Sequence, residues 1–129
     1  MSDRIHQEIV LPVPPSRVYE ALTDAAQFSK VTAGAPAKIS ADEGGAFSCF
    51  GDRIVGRHVE LVPQRRIVQA WRAANWDEGI YSVVRFELQE DADSTRLVFD
   101  QSGFPEGEKN HLEEGWPKMY WEPLQKFFA

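Results

Sequence analysis

The sequence predicts an α+β fold in which a curved antiparallel β-sheet is wrapped around a long C-terminal helix. Three observations support this prediction. The length of 129 residues suits one domain, 1–129, with a single hydrophobic core. Between residues 37 and 103, apolar and polar side chains alternate and turn residues recur at hairpin spacing. The final segment instead spaces its large apolar side chains by three or four residues, which is the period of an amphipathic helix.

The N-terminal part predicts one strand followed by two short helices. Arg4–Leu11 alternates and must stop at Pro12, because proline lacks a donor and fixes φ. Pro15 suits the first turn of a helix that ends near Asp24, since its missing N–H would be unpaired there anyway. Asp24 and Gln27 then form a capping box that opens a second short helix. The side chains expected to face the core are Ile5, Ile9, Leu11, Val18, Leu22, Phe28 and Val31.

The alternating region predicts a meander of five or six strands, which gives a sheet of six or seven strands with the first one. Turns are expected at residues 44–45, 51–52, 63–64, 77–79 and 91–94. The inward positions are expected to be Val59, Leu61, Ile67, Trp71, Val84, Phe86, Leu88, Leu97 and Phe99. Because the intervening residues are largely polar or charged, one face of the sheet is expected to be buried.

The C-terminal segment predicts one long helix that is bent near residue 117. Its apolar stripe consists of Leu112, Trp116, Tyr120, Leu124 and Phe127. Pro117 and Pro123 oppose a regular helix, since each removes a hydrogen bond at a cost of roughly 3 kcal/mol in a helix interior. We therefore expect burial of the aromatic side chains, rather than helix propensity, to hold this segment. Gly115 is expected to let the helix approach the sheet closely.

The composition argues against several classes of protein. The 14 lysine and arginine residues against 20 aspartate and glutamate residues give a net charge of −6, which disfavours nucleic-acid binding. Cys49 is the only cysteine, so an intrachain disulfide and a cysteine-based zinc site are excluded. Residues 1–8 are polar and lack the apolar core of a signal peptide, and no apolar run is long enough to span a membrane. We therefore expect a cytoplasmic protein.

The sequence shows no constellation of catalytic or metal-ligating residues. His6, His58 and His111 are dispersed, and His58 is expected on the outer face of its strand. His111 and Glu114 have a helical i, i+3 spacing, but a metal site needs a third ligand and the pair also suits a solvated helix surface. Cys49 has no nearby histidine in sequence and is expected to be buried and inert. We therefore expect no metal, no cofactor and no enzymatic activity.

Aromatic side chains are dense at the positions expected to face inward. They fit two arrangements, the wall of an apolar pocket with indole and phenol groups as polar anchors, or a filled core. The set consists of Phe47, Phe50, Trp71, Trp76, Tyr81, Phe86, Phe99, Trp116, Tyr120 and Trp121. Gln101 continues the inward alternation of the last strand, where it either orients a ligand or lies at the rim of the sheet.

Several segments resemble those of one known family. They are residues 14–24, residues 44–47, Gly56 with Glu60 and Pro63, residues 66–68 with Trp71, and residues 94–97, 102–105 and 115–116. In order and spacing they resemble the activator of heat-shock protein 90 ATPase homologue-like family, which is part of the START-related superfamily (SRPBCC, Bet v-like). The resemblance covers nearly the whole chain. It implies a helix-grip fold with two short helices after the first strand, and it implies that Glu60 bonds neighbouring strands or Arg66.

The resemblance also implies a range of functions. Many members of the superfamily hold lipids, hormones, polyketides or other apolar molecules in a cavity between the sheet and the C-terminal helix. The leading hypothesis is a monomeric, non-enzymatic module that binds a small apolar molecule. The expected lining residues are Phe47, Trp71, Tyr81, Phe86, Phe99, Gln101, Trp116 and Tyr120.

The family name implies a second function, that of a co-chaperone or stress-related factor that binds a chaperone. Eukaryotic activators of this family make an essential chaperone contact through a separate N-terminal domain, and the present residues resemble the domain that follows it. A cyclase or hydrolase ranks last, because no acid, base or nucleophile stands out in the sequence.

Overall fold

The computed structural model describes residues 4–129, and residues 1–3 of the polar N-terminal segment lie outside that range. In chain order the elements are β1 (Arg4–Leu11), α1 (Pro15–Thr23), α2 (Ala25–Val31), β2 (Lys38–Ile39), β3 (Ala46–Cys49), β4 (Ile54–Val62), β5 (Arg66–Ala73), β6 (Ser82–Asp91), β7 (Ser94–Ser102), α3 (Lys109–Trp116), a π-helical segment (Pro117–Trp121) and α4 (Glu122–Phe127). The predicted α+β class and the helix-grip architecture are confirmed.

The strands of the described range form one curved antiparallel sheet with the order β1-β7-β6-β5-β4-β3-β2. Strands β2 to β7 are the predicted meander, and β1 adds to it beside the last strand, with Ile5 opposite Gln101. Because β1 and β2 therefore lie at opposite edges, the connection through α1 and α2 has to span the width of the sheet.

The two short helices begin where the sequence predicts. Pro15 occupies the first turn of α1. The Asp24 carboxylate accepts a hydrogen bond from the backbone N–H of Gln27 at 3.0 Å, which caps α2. Val18 and Phe28 are buried, so each helix turns its apolar side toward the core.

A β-bulge in β4 reverses the predicted alternation. The pairing with β5 shifts between His58, which lies opposite Gln69, and Glu60, so that Val59 is the extra residue. The predicted inward position of Val59 is wrong, because its side chain is 59% exposed. The predicted outward position of His58 is wrong for the same reason, since it is only 1% exposed. Beyond the bulge, Leu61 packs against the core as predicted.

The C-terminal helix changes from α to π geometry at the first of its two prolines. The N–H of Glu122 donates to the carbonyl of Pro117, five residues earlier, as in a π-helix. This wider turn brings both Tyr120 and Trp121 into the core. After it, Phe128 is buried at 8% exposure, whereas Phe127, the predicted member of the stripe, is only partly buried.

A glutamine of β1 bonds the carbonyl that Pro117 leaves without its usual partner. In a regular α-helix the Glu113 carbonyl accepts from residue 117, but proline has no N–H. Gln7 Nε2 donates to this carbonyl at 3.0 Å, and Gln7 Oε1 accepts from Trp121 Nε1 at 2.6 Å. Gln7 therefore ties the proline-containing part of the helix to the edge of the sheet.

A second glutamine ties the same helix to the centre of the sheet. Gln101 is fully buried, and its Oε1 accepts from Trp116 Nε1 at 2.8 Å. Its Nε2 donates to Ser82 Oγ at 3.0 Å, and this hydroxyl donates to the backbone carbonyl of Trp71 at 2.8 Å. Gln101 therefore lies inside the core rather than at the rim of the sheet, and protein groups satisfy its amide.

We predict that Gln101→Leu lowers the free energy of unfolding by about 1–3 kcal/mol, because the buried Trp116 indole N–H loses its acceptor. Urea denaturation followed by far-UV circular dichroism measures this change. The control is Trp116→Phe, alone and combined with Gln101→Leu. If the two changes prove additive, the hydrogen bond between these side chains contributes no coupling energy and the prediction is wrong.

Candidate ligand-binding cleft

A cleft of about 640 Å³ opens between the C-terminal helix and the adjoining ends of β4 and β5. This volume lies within the range of roughly 300–1,000 Å³ that is usual for small-molecule sites. The sheet side is formed by Ile54, Trp71 and Ala73, and the helix side includes Leu112 and Met119. The walls are therefore apolar on both sides.

The mouth of the cleft carries charged and polar side chains of mixed sign. The residues at this rim are Arg53, Glu108, His111, Glu114 and Lys118. Glu108 Oε1 accepts a hydrogen bond from Trp76 Nε1 at 3.3 Å, which fixes one side of the mouth. The cleft therefore combines apolar walls with a polar mouth.

The eight predicted lining residues occupy four different environments. Trp71, Trp116 and Tyr120 line the cleft, Phe47 and Phe86 line a small inner pocket, Phe99 and Gln101 are buried in the core behind both, and Tyr81 lies outside. Trp116 lies at the centre of the packed rings, with its centroid 4.2 Å from that of Phe99 and 4.3 Å from that of Tyr120. Most of the aromatic set therefore fills the core, and the open space lies at one side of it.

Tyr81 does not reach the inner surface of the sheet. Its side chain is 49% exposed, and its ring packs against Arg72 with the guanidinium carbon 5.7 Å from the ring centroid. The sequence carried the signal for this position. In β6 the buried Val84 and Phe86 are even-numbered, so the same alternation places Tyr81 outside.

Gly115 faces open space rather than the sheet. A Cβ atom at this position would meet nothing within 4 Å, so the expectation that Gly115 permits a close approach of helix and sheet is wrong. Gly56 of β4 is the glycine that permits a close approach, and it does so within the sheet, because a Cβ there would overlap the carbonyl oxygen of Ala70 in β5 and lie 2.7 Å from the Phe47 ring of β3. Gly115 lines the cleft, and a larger side chain at this position would enter it.

Burial keeps two titratable side chains at and behind the inner end of the cleft uncharged, namely Tyr120 and Cys49. Burial raises the pKa of the Tyr120 phenol well above its ordinary value; the nearby Cys49 thiol adds to this, and the indole N–H of Trp71 opposes it. Burial also raises the pKa of Cys49 to about 12. Both groups are therefore protonated at neutral pH and are weak nucleophiles.

Beyond Tyr120 lies a small inner pocket of about 10 Å³, which is lined by Gln69, Phe47 and Tyr120 among others. His58 lies one position away from this pocket, opposite its lining residue Gln69 and with its ring centroid 5.5 Å from that of Phe47. Neither ring nitrogen of His58 has a hydrogen-bond partner among residues 4–129. Burial lowers the pKa of His58, so the imidazole is neutral at neutral pH. Sequence reasoning missed this residue because alternation alone does not reveal the bulge.

The outer face of the sheet carries an ion-pair cluster centred on Asp100. Its carboxylate lies 2.8 Å from Arg4 and from His6, and 3.3 Å from Arg85. Burial raises the pKa of Asp100, but the hydrogen bonds from these three side chains outweigh burial and hold it below the ordinary value. The hydrogen bond between His6 and Asp100, with one to Glu8, raises the pKa of His6. This part of the outer face therefore carries an ordered network of charges.

The ion pair expected from Glu60 is present, with Arg66 Nε 3.0 Å from Glu60 Oε1.

Within residues 4–129, no three histidine, cysteine, aspartate or glutamate side chains are grouped to hold a metal ion. No helix in that range is long and apolar enough to cross a membrane.

Comparison with known proteins gives one family and a set of related structures. The family described as "Activator of Hsp90 ATPase homolog 1-like protein" matches residues 12–129. The human "Activator of 90 kDa heat shock protein ATPase homolog 1" is 30% identical over 95 residues, which cover 74% of this chain and 28% of the human protein. This chain therefore corresponds to a little over a quarter of that relative.

Two solved structures illustrate the shared fold. An Hsp90 activator from Plasmodium falciparum is 27% identical, with a TM-score of 0.88 over 98% of this chain and 95% of its own. The Aha1 dimer from Colwellia psychrerythraea is 17% identical, with a TM-score of 0.81 over 98% of this chain and 96% of its own. At the latter identity the likeness concerns the fold alone.

We predict that His58→Leu makes the protein more resistant to acid. Because the folded-state pKa of His58 lies below 6.5, the unfolded chain binds a proton that the folded chain does not bind. Stability that is complete above pH 6.5 is thus lost as the pH falls toward the folded-state pKa. As the pH falls, the free energy of unfolding of the variant should rise relative to that of wild type by up to about 1.4 kcal/mol per pH unit.

The measurement is urea denaturation at about pH 7.5 and about pH 5. His111→Leu is the matched control, since it removes an exposed histidine from the C-terminal helix. A difference between His58→Leu and wild type that stays constant over this interval would contradict the prediction.

Proposed function

We propose that this chain, which belongs to the activator of Hsp90 ATPase homolog 1-like protein family, binds a small apolar molecule in the cleft and catalyses no reaction. The cleft of about 640 Å³ beneath the C-terminal helix is the observation that carries this proposal. Its apolar walls would hold the body of a ligand, and the burial of such a surface is the main favourable term in binding.

The chemistry of the cleft favours binding over catalysis. The acids, bases and cations at the rim are solvent-exposed or, in the case of Glu108, bonded to Trp76. The Cys49 thiol and the Tyr120 phenol are protonated, as their raised pKa values require. Acid–base or nucleophilic catalysis needs a group with a pKa matched to its task, held against the substrate. The described residues of the cleft supply apolar contacts instead.

We predict that Gly115→Phe weakens binding of 1-octanol, sodium octanoate and 2-naphthol at least about tenfold, because the added ring occupies the cleft. Isothermal titration calorimetry measures the affinities, and NMR chemical-shift changes at Trp71 and Trp116 locate the site. Gly115→Ala is the matched control. Its affinity for the compounds should lie within about twofold of the wild-type affinity. Its free energy of unfolding should be about 0.5–1 kcal/mol higher, since alanine favours the helix.

Two outcomes would refute this proposal. One is the absence of chemical-shift changes at Trp71 and Trp116 with all three compounds. The other is a Gly115→Phe variant that is folded by circular dichroism and binds the compounds as tightly as wild type does.

Family membership supports a second candidate function, a co-chaperone or stress-related role in the cytoplasm through contact with an Hsp90-type chaperone. Relatives at 30% identity are described as activators of the chaperone's ATPase, although this chain spans only 28% of the human protein. The ordered charges around Asp100 on the outer face would provide a surface for such a partner. Charged surfaces of this kind steer association and set specificity.

We predict for this second role that the protein raises the ATPase rate of a purified Hsp90-type chaperone and that Arg4→Glu with Arg96→Glu abolishes the effect. Both side chains lie on the outer face, paired with Asp100 and Glu8. Arg53→Glu at the mouth of the cleft is the control and should leave the stimulation unchanged. An ATPase rate unaffected by wild-type protein, together with no binding in calorimetry, would rule out this role.

A further inference from the structure

The core contains a histidine whose hydrogen-bonding capacity is unused. His58 is 1% exposed, and both of its ring nitrogens lack a partner among residues 4–129. A neutral imidazole carries one donor and one acceptor, and leaving a buried polar group unpaired costs about 1–3 kcal/mol. An apolar residue at position 58 would avoid that cost. A bound group that forms hydrogen bonds with the imidazole would explain why a histidine occupies this position.

His58 lies on the line along which the cleft extends into the core. The inward residues of β5 are, in order, Ala73, Trp71 and Gln69, and successive inward positions are about 7 Å apart in a strand. Ala73 and Trp71 line the cleft, and Gln69 lines the inner pocket. His58 is the cross-strand partner of Gln69. The mouth of the cleft and the pair His58–Gln69 are thus separated by about 13 Å along one strand.

Tyr120 separates the two spaces. It is the one residue of the described range that lines both the cleft and the inner pocket. Its ring is held by Phe28 and Phe50, whose centroids are 5.5 Å and 5.7 Å away. The inner pocket of about 10 Å³ is at the lower limit for a single water molecule. A change in the Tyr120 rotamer would join this space to the cleft.

We propose that Tyr120 is a gate, and that the cleft binds an elongated neutral alcohol whose hydroxyl group passes Tyr120 and is bound by His58 and Gln69. This inference rests on the proposed ligand-binding function and names its ligand class. A hydroxyl group donates one hydrogen bond and accepts others, which matches the donor and acceptor of the imidazole and the amide. A carboxylate at this depth would be a buried charge with no cationic partner beside it, which is strongly disfavoured. The apolar body would lie along Trp71 in the cleft.

The first test compares 1-octanol with sodium octanoate by NMR on protein labelled in its histidine rings. 1-Octanol is expected to shift the His58 ring signals, whereas octanoate shifts signals at the mouth of the cleft alone. His58→Leu is expected to weaken 1-octanol binding about fivefold, as for one neutral hydrogen bond, and to leave octanoate within about twofold. His6→Gln, which alters a histidine on the outer face of the sheet, should change neither affinity by more than about twofold.

The second test addresses the gate. Tyr120→Leu is expected to raise the association rate of 1-octanol about tenfold if the open state holds about a tenth of the population. Tyr120→Phe keeps the ring and should leave the rate near that of wild type. Stopped-flow measurement of intrinsic tryptophan fluorescence gives these rates.

The outcomes separate this inference from the function on which it rests. If 1-octanol shifts the signals of Ile54 and Ala73 but not those of the His58 ring, the ligand stays in the outer cleft. The inference is then wrong, and the ligand-binding function stands. If neither these two compounds nor 2-naphthol shifts any signal of the cleft, both are wrong. Because the ring shifts are measured on wild-type protein, the test does not depend on the folding of a variant.

Discussion

The arrangement of the core depends on hydrogen bonds between two tryptophans of the C-terminal helix and two glutamines of the sheet. Trp116 bonds Gln101 of β7, and Trp121 bonds Gln7 of β1. A helix with prolines at two interior positions is intrinsically weak, so tertiary contacts have to supply its stability. The glutamine of β1 also bonds the carbonyl of Glu113 that the first proline leaves free. Local weakness in the helix and buried polarity in the sheet thus compensate each other.

These hydrogen bonds hold only one side of the C-terminal helix, and the cleft lies on its other side. The face of the helix that carries Trp116 and Trp121 is held against β7 and β1, whereas the face that carries Gly115 looks onto open space beside β5. The aromatic rings pack on one another at centroid distances of about 4 to 6 Å and fill the centre. The cleft lies beside these rings, at the adjoining ends of β4 and β5. An open cleft and a densely packed core are therefore compatible in one small domain.

The buried polar groups of the sheet differ in how they are satisfied. Gln101 and Ser82 form a continuous chain of hydrogen bonds and rigidify the centre. His58 and its cross-strand neighbour Gln69 lie two inward positions along the sheet from the mouth of the cleft. The histidine ring has no hydrogen-bond partner in the described range. Only the first pair is needed to explain how the helix is held. Of the second pair, Gln69 lines the small pocket behind Tyr120.

The sequence determined the order and type of the elements, because apolar period, proline and turn residues act over a few neighbouring positions. Strand β1, the capped helix α2 and the meander formed where these signals placed them. The alternation of β6 also predicts the outer position of Tyr81. The inward position predicted for Tyr81 followed from the density of aromatic residues in this part of the sequence.

Tertiary structure alone decided three other features. The bulge at Val59 brought His58 inside because pairing with β5 sets the register, and no local signal marks the extra residue. The π-helical segment buried Phe128 in place of Phe127, since the geometry of the turn depends on the bonds that replace the missing N–H of Pro117. The location of the open space was likewise beyond the sequence. A void is what remains after side chains from distant elements have met, and its place depends on how completely they fill the volume between them.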